Sequence, residues 1–242
     1  MTGLRPHFEQ NGHVVTHING HAVSQMTAIA PALRPRDLPL DGAASSVSPA
    51  EQIDEDAPRV DLQGAQRAAA AFLQALGLDL DKEELRETPA RMTRAYAELF
   101  DARRPTLTTF PNDAGYDEPV LAKAIPFRTV CEHHLLPFSG VALVAYLPGE
   151  RLLGLSKLAR LVEFFAARPQ TQERMTRQLA DYLAAKLSAR WAGVVLEAEH
   201  TCMTLRGVRA QGAKTVTTAL AGPLRADPQQ RAEFLTMTNA KD

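Results

Sequence analysis

Residues 120–147 read VLAKAIPFRTVCEHHLLPFSGVALVAYL, and this stretch decides the fold. Val120 to Val130 and Val141 to Leu147 are apolar runs rich in β-formers, which reads as two strands. Pro137 and Gly140 mark the turn region between them. The polar cluster Cys131-Glu132-His133-His134 therefore falls on a strand-to-strand connection, the kind of place where a rigid sheet presents functional side chains.

Working outward towards the C-terminus, Leu158, Leu161, Val162 and Phe165 predict a helix that stops before Pro169. Met175, Leu179, Tyr182, Leu183 and Leu187 predict a longer one. Val194 to Ala198 and Thr215 to Leu220 read as two more strands, and Gln229 to Leu235 as a short last helix. A second polar cluster, His200-Thr201-Cys202-Met203, sits where the former strand ends. Towards the N-terminus, Ala65 to Leu76 is an Ala-rich helix. Thr88 is placed to cap a second helix, with Pro89 at its first position. Met92, Ala95, Tyr96, Leu99 and Phe100 give that helix its apolar face. Residues 103–117 read as loop. The order is helices followed by ββααββ, an α+β arrangement with no internal repeat.

The chain has 242 residues, 45% hydrophobic and 23% charged, which suits one or two globular domains with a substantial core. No run approaches the roughly 18 apolar residues of a membrane span, and no secretory signal is visible. With only two cysteines, a cytoplasmic protein is expected. A net charge of −1 gives no reason to expect nucleic acid. Residues 1–58 are rich in Pro, Ala, Ser, Asp and Gly, hold three basic against seven acidic side chains, and lack sustained periodicity. They are expected to form a disordered extension. His7, His13, His17 and His21 lie there at irregular spacing and read as a solvated tail rather than a metal tract. A helical region over 59–118 and a domain over 119–242 that holds the strands and both polar clusters are expected to follow. The remainder is slightly basic, a weak pointer to an anionic ligand.

Both cysteines lie in clusters that pair a thiol with imidazole. Cys131, His134 and Cys202 would give Zn²⁺ two thiolates and one nitrogen with an open fourth position, a catalytic rather than a structural pattern. The alternatives are a Cys131–Cys202 disulfide or two buried thiols behaving as small hydrophobes. The Cys-x-x-His step favours metal without excluding either. If a metal is bound, His133 and His200 are left as bases beside it.

Four segments then carry a family resemblance. Residues 131–138 (CEHHLLPF), 154–160 (GLSKLAR), 168–174 (RPQTQER) and 200–207 (HTCMTLRG) resemble, in order, the motifs of GTP cyclohydrolase I. The likeness spans about residues 60–237 and omits the extension. It implies a tunnelling fold, in which ββααββ units assemble into rings, here a homo-oligomeric decamer of two pentamers. It also implies hydrolysis of GTP to 7,8-dihydroneopterin triphosphate and formate, the entry to folate and other pterins. By position, Cys131, His134 and Cys202 match zinc ligands, and His133, His200 and Ser156 match catalytic residues. Glu173, with Gln172 beside it, matches the grip on the guanine edge. Lys157, Arg160 and Arg206 match residues lining the triphosphate and ribose, together with Ser156. Arg91 and Arg94 match basic residues supplied by a neighbouring subunit.

Elementary chemistry agrees with these roles. Imidazoles suit proton transfer near neutral pH. A carboxylate at Glu173 can accept from guanine N1–H and its amino group, a pair adenine lacks. Arginines can grip phosphate oxygens in bidentate fashion. Each residue also has a bland alternative. Glu173 opens a helix, where acidic side chains are favoured anyway. Lys157 and Arg160 can simply solvate a helix face, and Arg206-Gly207 can be a turn. Three rivals stand beside the main reading: a nitrile reductase of the same fold using NADPH, a non-catalytic zinc-binding paralogue, and a cyclohydrolase that stops early.

Overall fold

The computed structural model describes residues 60–239. The extension expected over 1–58 lies outside the described residues, and with it His7, His13, His17 and His21. Three helices come first, α1 (Leu62–Ala75), α2 (Glu83–Arg86) and α3 (Thr88–Leu99). The Asp61 carboxylate accepts from Gly64 N and caps α1. In α3 the N-cap is Glu87 rather than Thr88, which is already helical with Pro89 in the first turn. The one-residue shift follows from proline, which tolerates either of the first helical positions because no partner is needed for its missing N–H.

A sheet then forms from β2 (Val120–Cys131), β3 (Pro137–Leu147), β5 (Pro169–Gln170), β6 (Trp191–His200) and β7 (Thr215–Ala221) in the order β5-β2-β3-β6-β7. All pairings are antiparallel except β2 with the short β5. The stretch 103–117 is not all loop, because β1 (Thr109–Pro111) pairs with β4 (Arg151–Leu153) in a small second sheet. Two helices, α4 (Leu155–Ala166) and α5 (Gln172–Leu187), connect β4 to β6 by way of β5. A one-turn helix α6 (Thr201–Thr204) follows β6, and a 3₁₀ turn (Gly222–Arg225) leads to α7 (Pro228–Asn239). This is an α+β chain in which a mainly antiparallel sheet carries the two central helices. Among the described residues no helix is long and apolar enough to cross a membrane.

Period-2 alternation explains the two cores. Val144 and Tyr146 of β3, with Ala192, Val194 and Leu196 of β6, face α4 and α5. There they meet Leu158, Leu161, Val162 and Phe165, and Met175, Leu179 and Leu183. Full burial of each such side chain contributes ~1.5–3 kcal/mol. Ala145, Trp191, Leu220, Leu224 and Phe234 form the second core under α7. Gly193 sits on that face because a Cβ there would lie 2.6 Å from the Phe234 ring.

The strands run further than the apolar runs predicted. β3 begins at Pro137 and β6 extends from Trp191 to His200. Gly140, expected in a turn, is inside β3 opposite Ala198. Pro137, Ser139 and Gly140 in β3 and Gly193, Glu199 and His200 in β6 interrupt the apolar runs and hid these ends, and hydrogen bonding to neighbouring strands recruits them.

Candidate metal centre and active site

The β2–β3 register pairs Val130 with Pro137, so the Cys131 cluster occupies the tight connection itself. Its backbone is closed by Leu135 N donating to Cys131 O at 2.7 Å and Cys131 N donating to Leu136 O at 2.8 Å. Leu135 takes the left-handed conformation, φ +51°, which costs a branched side chain about 1 kcal/mol or more. The Tyr96 hydroxyl, reaching from α3, donates to Leu135 O at 2.9 Å and helps hold it there. In the sequence Tyr96 was visible only as part of an apolar helix face.

The second cluster arrives through the β3–β6 ladder, whose last pair is Phe138 with His200. Cys202 is therefore set on α6 immediately beyond that pair, and the Thr201 hydroxyl ties α6 to Pro137 O. Ligand atoms of Cys131, His134 and Cys202 all lie within 4.8 Å of one another. Both cysteines are free thiols, so the disulfide alternative is not realised. Burial pushes the Cys202 thiol up from its ordinary pKa, and the nearby Cys131 adds to the effect. Two crowded thiols and an imidazole on a partly exposed rim fit a divalent cation of zinc's softness.

His133 remains outside that group. Its Nδ1 lies 3.8 Å from Cys131 Sγ, while its ring is edge-on to His134 with centroids 6.5 Å apart. His134 Nδ1 lies 4.0 Å from the same sulfur, so both imidazoles approach Cys131, with their planes 87° apart. Glu132, between Cys131 and His133, forms an ion pair with Arg174 of α5.

His200 stacks on Phe138 with centroids 4.2 Å apart and 11° between planes. Burial lowers its pKa, partly opposed by the Glu173 carboxylate. Glu173 is exposed in the first turn of α5, whose N-cap Thr171 accepts from Arg174 N. It opens onto a cleft of ≈ 300 Å³ that Thr176, Arg177, Arg225 and Arg231 also line. Gln172, expected beside Glu173 at the guanine edge, lies beneath the surface. It is 1% exposed, and its amide is bonded entirely within the fold.

Ser156, Lys157 and Arg160 lie in the first two turns of α4, Ser156 and Arg160 exposed and Lys157 half-buried. The Arg206 guanidinium approaches the metal group, with Nη1 3.4 Å from His134 Nε2. Arg91 and Arg94 are exposed on α3, where Arg91 donates to Glu84 O at 2.9 Å and to Thr88 Oγ1 at 3.2 Å. Sequence reading missed Arg174, Glu132, Tyr96 and Phe138 as supports. Two of them were charged residues inside matched segments, but no spacing in the chain pairs position 132 with 174.

A family model described as GTP cyclohydrolase I matches residues 65–239. The chain belongs to the GTP cyclohydrolase I family. Among curated relatives it is similar to GTP cyclohydrolase 1 of Rhodopirellula baltica, 46% identical over 77% of this chain and 84% of that protein. The Aquifex aeolicus protein of the same name is 46% identical over 74% of this chain and 97% of its own length. That of Streptomyces avermitilis is 50% identical over 75% and 92%. The family match over residues 65–239 takes in every element that builds the site described above.

Proposed function

We propose that this chain hydrolyses GTP to 7,8-dihydroneopterin triphosphate and formate, the first step of folate and pterin biosynthesis, with Zn²⁺ held by Cys131, His134 and Cys202. The observation that carries the proposal is the convergence of those three ligand atoms within 4.8 Å in a member of this family. Zinc bound there supplies Lewis acidity and an ionisable water.

The chain's own residues do the remainder. Glu173 accepts the guanine N1–H and amino group. His133 and His200 move protons during ring opening, formate release and reclosure, and Ser156 assists at the ribose. Lys157, Arg160 and Arg206 bind the triphosphate, aided by the N-terminus of α4, which favours anions.

We further assign the tunnelling fold and ring assembly, a decamer of two pentamers in the cytoplasm, with Arg91 and Arg94 reaching a neighbour's site. Two observations support sharing. β7 is a sheet edge, and such edges are covered in stable proteins. His133, His134, Ser156, Arg160, Glu173 and Arg206 are all exposed in the single chain, whereas sites that bind small molecules bury most of them. The extension 1–58 is assigned no catalytic part, the region 59–118 supports, and 119–242 holds the site.

Incubation with GTP, followed by oxidation, should give a fluorescent pterin and one formate per GTP. Zinc binding without GTP turnover would mean a non-catalytic paralogue. Formate without ring closure would mean a cyclohydrolase that stops early, and NADPH oxidation with a nitrile would mean a reductase.

A further inference from the structure

Gln172 is buried at the start of α5, where its side-chain amide makes three hydrogen bonds. Its Nε2 donates to Leu196 O of β6 and to Thr215 O beside it at the start of β7, each at 3.0 Å. Both amide hydrogens are therefore committed to carbonyl oxygens, which can only accept. That fixes which way the amide faces. The reversed amide would set its oxygen against two carbonyl oxygens and leave buried groups unpaired, at about 1–3 kcal/mol each.

The remaining amide atom, Oε1, lies 2.8 Å from His200 Nε2. An acceptor whose orientation is fixed demands a donor opposite, so His200 Nε2 carries a hydrogen. A neutral ring protonated on Nδ1 instead would face two lone pairs at hydrogen-bond distance. The Phe138 ring lies flat against the imidazole and keeps it in this plane. Thr176, one turn along α5, accepts no such role but fastens the same seam. Its hydroxyl meets Gln172 O and Thr217 Oγ1, both at 2.6 Å.

From this geometry we infer that Gln172 is a positioning residue, which holds the His200 imidazole as its Nε2–H tautomer and so reserves Nδ1 for the proton transfers of turnover. The inference rests on the assignment of His200 to proton transfer. In each cycle Nδ1 takes a proton and later gives it up, while Nε2–H stays on Gln172 Oε1, so the ring returns to its starting state. The roles of the neighbours at 172 and 173 are thereby divided. Glu173 faces the cleft and Gln172 acts from beneath, through His200.

Two variants separate the acceptor from the rest of the side chain. Gln172→Met removes the acceptor and both donors, whereas Gln172→Glu, buried as the protonated acid, keeps a carbonyl oxygen for Nε2–H and one O–H to donate to Leu196 O or Thr215 O. The expected result in the zinc-loaded enzyme is a kcat loss of about 100-fold for Gln172→Met, in the range of one acid–base group. KM for GTP should change little, and Gln172→Glu should stay within about tenfold of wild type. Equal losses in the two variants would reduce Gln172 to a structural tie. A raised KM at unchanged kcat would make it a substrate contact. Both results overturn the inference.

The tautomer is read independently of activity from ¹⁵N-histidine spectra of the wild-type holoenzyme at about pH 8, where imidazole is neutral. His200 is identified as the resonance missing in His200→Ala. A hydrogen on Nε2 supports the proposal and a hydrogen on Nδ1 alone overturns it. This spectrum can be recorded whether or not GTP is consumed, so failure of the assigned activity would be seen separately.

Discussion

The Arg174 guanidinium grips the Glu132 carboxylate, fastening the first turn of α5 to the connection that carries Cys131 and His134. The same guanidinium donates to Gln170 Oε1 at 2.9 Å and to Pro169 O at 3.0 Å. One side chain thus braces the end of β2, the short β5 and the helix bearing Glu173. Removing such an outer support typically weakens metal binding about 10–100-fold. Arg174→Ala should show that loss in a chelator competition. An exposed ion pair by itself is worth only ~0–1 kcal/mol, so the melting temperature should fall little. Unaltered zinc affinity would mean the turn holds its shape without Arg174.

Cys202→Ser should bind markedly less zinc than the one equivalent per chain expected of the wild type. His133→Ala should keep its zinc and lose most formate release. Metal analysis and a formate assay on the same preparations distinguish the two. Loss of zinc from His133→Ala would reverse the roles given to the adjacent histidines.

Zinc affinity should tighten as pH rises. The Cys202 thiol is held above its ordinary pKa, first by burial and then by Cys131. Near neutral pH it keeps its proton, and zinc must displace it to bind the thiolate. Each proton released contributes up to about tenfold in affinity per pH unit below the thiol pKa. Competition titrations across neutral and mildly alkaline pH should show the rise. A flat profile would mean that the Cys202 thiol is already ionised in the metal-free protein.

Gly140→Ala should destabilise the sheet. The added Cβ would lie 1.9 Å from Glu197 O and 2.6 Å from Ala198 Cα. Both are backbone atoms of β6, which cannot yield without parting the β3–β6 ladder that brings His200 and Cys202 to the site. A cost of at least about 1–3 kcal/mol is expected. Thermal unfolding should register it as a clear drop, and an unchanged midpoint would show that the strands separate freely there.

Mixing Arg91→Ala/Arg94→Ala subunits with His133→Ala subunits should restore part of the activity that each lacks alone. Hybrid assemblies would contain some sites with an intact set from two chains. If labelled subunits demonstrably exchange and activity stays absent, or if a monomer is fully active, the sites are not shared.

Much of this protein was legible from the chain itself. Helical spacing at Leu158, Leu161, Val162 and Phe165, and at Met175, Leu179 and Leu183, set the two central helices, because one buried face suffices to write a 3.6-residue period. The Cys131 and Cys202 clusters named the three candidate ligands, since thiols and imidazoles in those positions carry their chemistry in their identity. The β1–β4 pair, the full length of β3 and β6 and the turn support by Tyr96 were not legible. They depend on partners far away in the sequence, and a strand's hydrogen bonds leave no mark on its own residues. The same holds for the site. Glu132 and Arg174 lie 42 positions apart, and Gln172 and His200 lie 28 apart. Residue type says only that these groups can bond. Which oxygen faces which nitrogen, and therefore which ring atom of His200 meets Gln172, was decided by the packing of α5 against β6 and β7.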